Sequence, residues 1–218
     1  PRLVVVDVGT LATLPARELR AGAAEVVKTA WIDDPTLLSL LPAASLDAYA
    51  SLAPETWQEI VMRCLAVKAR IVGDDERESG RRAALNLGHT LGHALEAHTM
   101  QGDRPLTHGQ AVAVGIALDT AYAAAMGLIC EADRDRVLAG LVATGLPTWH
   151  ELLARRRADG TLEILEGLDD FREHLGGKLT FTLLSDIGSG FDSNSYNGAV
   201  YHEALDRLRA FAQTSSLG

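Results

Sequence analysis

Asn86-Leu87-Gly88-His89-Thr90-Leu91-Gly92-His93 lies inside a stretch, about Ala83 to His98, whose apolar residues recur with helical spacing, and this reading decides the fold class. Helical periodicity rich in Ala and Leu continues on both sides. Upstream, Arg17 to Ile32 reads as a helix, and a second begins after Pro54 and runs through Trp57, Ile60, Cys64 and Val67 towards Gly73, since proline is tolerated in a first turn. Asp74-Asp75-Glu76 and Gly80 break that pattern. Downstream, the loop Gln101-Gly102-Asp103-Arg104-Pro105 leads into a long helix from about His108 to Met126, whose small residues suit close packing inside the protein. Strand signals are few. Leu3 to Val8 is one short β-branched run, Lys178 to Leu184 alternates as a strand should, Ile187-Gly188-Ser189-Gly190 ends it, and Asp192 to Asn197 is loop-like before a last helix from about Ala199. The expected fold is mainly α with a few short strands.

The 218 residues allow one large domain or two small ones. With 47% hydrophobic and 22% charged residues the chain can bury a core, which excludes disorder as its main state. Lys plus Arg number 20 against 29 Asp plus Glu, a net charge of −9. That sign excludes attachment to nucleic acid or anionic lipid by overall charge, so an anionic ligand needs a local cluster of cations. Cys64 and Cys130 both sit in apolar, helical-looking stretches and read as small hydrophobes, with no disulfide scaffold or thiolate metal site. No apolar run approaches the ~20 residues that span a bilayer, and the expected location is the cytoplasm. Arg155-Arg156-Arg157-Ala158-Asp159-Gly160 reads as an exposed turn.

His89 and His93 are separated by four residues, so a helix places both imidazoles on one face, one turn apart. An isolated pair of this kind also fits two histidines that meet by chance. His108, opening the next helix a short loop away, can bring a third imidazole to the same place, and clustered imidazoles suit a divalent metal. The zinc-peptidase pattern is absent, because Thr90 stands where it needs a catalytic glutamate. Glu25, embedded in the apolar stretch Ala23-Ala24-Glu25-Val26-Val27-Lys28, is either a salt-bridged helix residue or a metal ligand. Lys28 lies one turn beyond it, Lys68 and Arg70 close the second helix, and Arg82 precedes Asn86 by four residues on what would be one helical face. If these converge, the metal position is surrounded by donors suited to phosphate or carboxylate.

The blocks Ala23 to Lys28, Asp75-Glu76-Arg77-Glu78-Ser79-Gly80-x-Arg82, Leu85 to His93, and His108-Gly109-x-Ala111-Val112 resemble the 3-dehydroquinate synthase family, in order across about the first 125 residues. Leu11-x-Thr13-Leu14-Pro15-x-Arg17-Glu18 is similar to the segment that links the family's nucleotide-binding and metal-binding halves. The resemblance implies the α-helical, metal- and substrate-binding C-terminal domain of that fold. It also implies that Glu25, His89 and His108 ligate a divalent metal, zinc or cobalt, and that Lys28, Lys68, Arg82 and Asn86 bind substrate. His93 and Glu78 would be catalytic polar or proton-transfer groups, and Thr13 and Glu18 would lie near bound NAD. The implied enzyme is a carbon–oxygen lyase of aromatic amino-acid biosynthesis, the shikimate pathway. It converts a heptulosonate phosphate to a carbocycle with loss of phosphate, as a cytoplasmic homodimer.

Two departures leave the substrate open. Phe171-Arg172-Glu173-His174 stands before Gly177-Lys178-Leu179 where relatives often carry a phosphate-binding lysine, and residues 191–197 match nothing in the family pattern. Other sugar phosphate cyclases make cyclitols from heptulose or hexose phosphates. A glycerol dehydrogenase-like metal alcohol dehydrogenase and a non-catalytic metal-binding module are the competing readings. No Gly-rich dinucleotide turn opens a βα unit in this sequence, so the expectation is a domain lacking its N-terminal nucleotide-binding half, inactive alone.

Overall fold

The computed structural model describes residues 2–75, 81–100, 102–164, 181–193 and 197–215. Seven α-helices are described: α1 (Ala16–Ile32), α2 (Leu46–Ala50), α3 (Pro54–Asp74), α4 (His89–Thr99), α5 (His108–Ala125), α6 (Glu131–Ala143) and α7 (Gly198–Ser215). One antiparallel hairpin, β1 (Phe181–Asp186) and β2 (Ser189–Ser193), accompanies them. The mainly α expectation holds.

The small-residue helix α5 is the axis of the molecule. It is buried continuously from Ala111 to Ala123 and packs against α1, α4, α6, α7 and β1. A helix apolar all round belongs in a core rather than on a surface. Its first turn is fixed by a capping box: the Gln110 N–H donates to Thr107 Oγ1 at 3.3 Å, and the Thr107 N–H donates to Gln110 Oε1 at 3.0 Å. That box sets His108 as the first helical residue. Gly109 then allows α5 to rest directly on α1, because a Cβ there would lie 1.8 Å from the Ala21 carbonyl oxygen.

Helix α1 joins two cores. Ala24, Val27 and Trp31 face α5, while Leu19, Ala23, Val26 and Ala30 pack with Leu37, Tyr49, Trp57 and Ile60 from the α2 and α3 side. Glu25 falls on the seam between these faces, where α3 and the segment before α4 open a cavity.

Four sequence expectations are corrected. The single helix over Ala83 to His98 is two pieces: a 3-10 segment, Arg81–Asn86, then α4 from His89, separated by Gly88 with φ of 76°. Only glycine takes that conformation without strain, and the break lets the chain press Gly88 against Gly115 of α5, where a Cβ would sit 2.0 Å from the Gly88 carbonyl oxygen. Arg82 and Asn86 are therefore not on one α-helical face, since a 3-10 segment turns every three residues. Next, the tail read as a loop supplies a strand: Ile187 and Gly188 make a tight turn and β2 pairs Phe191 with Leu183. Cys130 is exposed at the start of α6 rather than in an apolar stretch. Finally, the β-branched run Leu3–Val6 is exposed and forms no strand among the described residues. Residues 155–157 are exposed, as expected, with Arg155 paired to Glu163. Glu78 and residues 171–174 lie outside the described residues.

Candidate metal centre

Three elements deliver three donor atoms to one point. Glu25 comes from the middle of α1, His89 opens α4 and His108 opens α5. Glu25 Oε1 lies 3.2 Å from His89 Nε2 and 4.0 Å from His108 Nε2, and one donor atom from each residue falls within 4.8 Å of the other two. The two Glu25 oxygens have different surroundings. Oε2 is held by the Lys28 ammonium at 2.7 Å, whereas Oε1 is shielded from solvent and accepts no well-formed hydrogen bond among the described residues. Burial opposes ionisation of this carboxyl, but His89 and Lys28 outweigh it and hold the pKa at about 2. A carboxylate oxygen shielded from solvent and facing two imidazole nitrogens fits a divalent cation.

The His89 ring is held by the backbone. His89 Nδ1 is 3.1 Å from the Leu87 carbonyl, an acceptor that keeps a proton on Nδ1, so that Nε2, which faces Glu25, is the nitrogen a metal ion would take in place of a proton. His93 completes a three-ring cluster, its centroid 5.6 Å from those of His89 and His108. Burial and the adjacent His89 and His108 lower the His93 pKa.

Beside the candidate ligands, a cavity of about 540 Å³ runs between α1, α3 and the 3-10 segment, lined by Glu18, Glu25, Lys28, Lys68, Arg82, Asn86 and His89 among apolar side chains. The four residues expected to bind substrate therefore meet in one place. Lys28 is buried, and its pKa is lowered by burial, with Glu25 opposing and Lys68 adding to the shift. Arg70 does not join them: it pairs with Asp33 on the outside of α3. Thr13 is exposed outside the cavity lining, its hydroxyl donating to the Thr10 carbonyl at 3.1 Å.

Comparison with known proteins identifies the family. The family described as 3-dehydroquinate synthase C-terminal matches residues 22–166. The chain belongs to the 3-dehydroquinate synthase family. Among curated relatives named 3-dehydroquinate synthase, one from Rhodospirillum rubrum is 43% identical over 188 residues, covering 86% of this chain and 48% of the relative. Another, from Pseudomonas aeruginosa, is 41% identical over 212 residues, covering 94% of this chain and 54% of the relative. The chain thus spans about half the length of the curated relatives it matches. A solved 2-epi-5-epi-valiolone synthase from Streptomyces hygroscopicus, with NAD+ and Zn2+ bound, superposes with a TM-score of 0.75 at 27% identity over 94% of this chain and 54% of that one. A 2-deoxy-scyllo-inosose synthase gives 0.69 at 23% identity, which supports the shared fold.

Sequence reading of this family member missed Glu96. Its Oε2 lies 3.0 Å from His108 Nδ1 and 3.9 Å from His93 Nδ1. The signal was present, because Glu96 follows His93 by three residues and His89 by seven, on the same α4 face.

Proposed function

We propose that the protein carrying this chain is a 3-dehydroquinate synthase, an NAD- and divalent-metal-dependent lyase that converts a heptulosonate phosphate to a carbocycle with loss of phosphate. The convergence of Glu25, His89 and His108 beside a cavity walled by Lys28, Lys68, Arg82 and Asn86 carries this reading. A bound divalent ion would supply Lewis acidity towards a substrate hydroxyl, and bound NAD would accept and return a hydride. Glu25 Oε1 and Nε2 of both histidines would hold the ion. One carboxylate and two imidazoles leave coordination positions open to substrate oxygens.

The remaining roles belong to the chain's own side chains. Lys28 neutralises the second Glu25 oxygen and adds positive charge at the cavity wall, while Lys68, Arg82 and Asn86 offer donors to phosphate and carboxylate groups. In a chain of net charge −9, this cluster is how a doubly anionic substrate is held. His93, whose pKa burial and the adjacent rings lower, is the base that takes up or returns a proton, and Glu78 is assigned a catalytic polar role from the family pattern. Thr13 and Glu18 are assigned to the NAD side. Glu18 on the cavity wall supports this, but the described residues build no dinucleotide cradle, and hydride transfer is not assigned to any of them. Homodimeric assembly and a cytoplasmic location belong to the same proposal.

The test uses the full-length protein with NAD, Co2+ or Zn2+ and a heptulosonate phosphate, and reads phosphate release. Release with formation of the carbocycle is expected. Turnover only of a heptulose or hexose phosphate would place the protein among the other sugar phosphate cyclases, and oxidation of glycerol without phosphate dependence would mark a dehydrogenase. Metal analysis should find about one ion per chain, lost in His89→Ala; unchanged metal content in that variant overturns the ligand assignment.

A further inference from the structure

We propose that Glu96 is a positioning residue of the metal centre: its carboxylate holds His108 as the Nδ1–H tautomer and so aims Nε2 at the point shared by Glu25 and His89. This rests on the metal-centre reading above. The two histidine ligands are oriented by different devices. His89 is fixed through its Nδ1 by the Leu87 backbone carbonyl, close to its own position in the chain. His108 Nδ1 instead meets Glu96 Oε2 at 3.0 Å, across from α4 to α5. A neutral imidazole carries one N–H, and an ionised carboxylate only accepts, so this contact places the proton on Nδ1 and the lone pair on Nε2. Nε2 is the atom that faces Glu25 Oε1, at 4.0 Å.

The need for such a device follows from exposure. The His108 side chain is 45% exposed, and the Thr107–Gln110 capping box fixes its backbone but not its ring. Carboxylate–histidine–metal relays of this kind raise ligand basicity as well as fixing orientation. Glu96 itself is 31% exposed and lies 3.9 Å from His93 Nδ1, so its nearer partner is the His108 ring. His93, Glu96 and His108 also form a second group of potential ligands. A metal there would take His108 through Nδ1, which the positioning role forbids, and the two arrangements give different results.

The experiment measures Co2+ affinity and visible absorption for the full-length protein, its Glu96→Ala variant and its Glu96→Gln variant. Loss of a second-layer partner costs about 10- to 100-fold in metal affinity, and that loss is expected for Glu96→Ala. Glu96→Gln keeps an acceptor for Nδ1–H and should restore affinity to within a few-fold, with the absorption bands of the parent. Equal affinity of the alanine variant and the parent overturns the inference while leaving the metal centre standing. Complete loss of metal in Glu96→Gln overturns it too, by making Glu96 a ligand. Failure of the parent to bind Co2+ removes the metal-centre reading itself. Nitrogen-15 chemical shifts of His108 in the metal-free parent at pH 8 need no variant to fold: the Nδ1–H tautomer is expected, and an Nε2–H tautomer overturns the proposal.

Discussion

Glu25 turns one oxygen to Lys28 and the other towards the imidazoles, and in the proposed function this division separates metal binding from substrate binding. Lys68 and Arg82 line the cavity without belonging to the ligand set. Lys68→Ala and Arg82→Ala should therefore leave metal content unchanged. Each removes charged hydrogen bonds worth about 1.5–3 kcal/mol, so calorimetric titration with a phosphorylated substrate analogue should show affinity falling by about 10- to 100-fold. Loss of metal along with substrate affinity in either variant would merge the two sites and remove the distinction.

Helix α5 is placed by the absence of side-chain atoms at a few points. At Gly109 the neighbour a Cβ would strike is the Ala21 backbone oxygen, 1.8 Å away, and a backbone atom inside α1 cannot swing aside. In Gly109→Ala, α5 must lift from α1, at the cost of about 1–3 kcal/mol typical of overpacking. His108 moves with it away from Glu25. Urea unfolding should show the lost stability, and Co2+ titration should show weakened binding. Gly22 on α1 is the control: a Cβ there meets nothing within 4 Å, so Gly22→Ala should be neutral or stabilising by up to about 1 kcal/mol.

At the scale of the whole molecule, Asp119 is the group expected to make stability vary with pH; it is buried on α5 and accepts the Gly88 N–H at 2.9 Å. Burial raises its pKa to about 7, with the Gly88 N–H opposing the shift. In the unfolded chain the same group ionises near an ordinary aspartate value of about 3.9. Between those limits the folded protein binds more protons than the unfolded chain, so stability falls as pH rises. The contribution is complete below about pH 4, is lost through the interval up to about pH 7, and is constant above it. At about 1.4 kcal/mol per pH unit the full effect is a few kcal/mol. Urea midpoints of the metal-free protein should be higher at pH 5 than at pH 8 from this group, and Asp119→Asn, which keeps an acceptor for Gly88, should narrow that difference. An unchanged difference would show that Asp119 is ionised in the fold.

Helical periodicity, the spacing of His89 and His93 and the position of Glu25 among apolar neighbours were legible in the chain, because helix geometry is local: 3.6 residues per turn fixes which side chains share a face. The same local rule failed at Gly88. There a left-handed glycine, pressed on Gly115 from another helix, divides what reads as one helix, and Arg82 and Asn86 reach the cavity from a 3-10 segment instead of an α-helical face. The hairpin partner β2 was hidden for a related reason, since pairing with β1 gives strand structure to residues with little strand preference of their own. The sequence by itself determined a mainly α chain that belongs to this family and carries the ligand types. Tertiary structure alone decided that Glu96 reaches His108 across two helices, that Asp119 is buried beneath Gly88, and that one Glu25 oxygen faces Lys28 while the other faces the imidazoles. Those are contacts between elements, and their distances depend on how closely the helices pack.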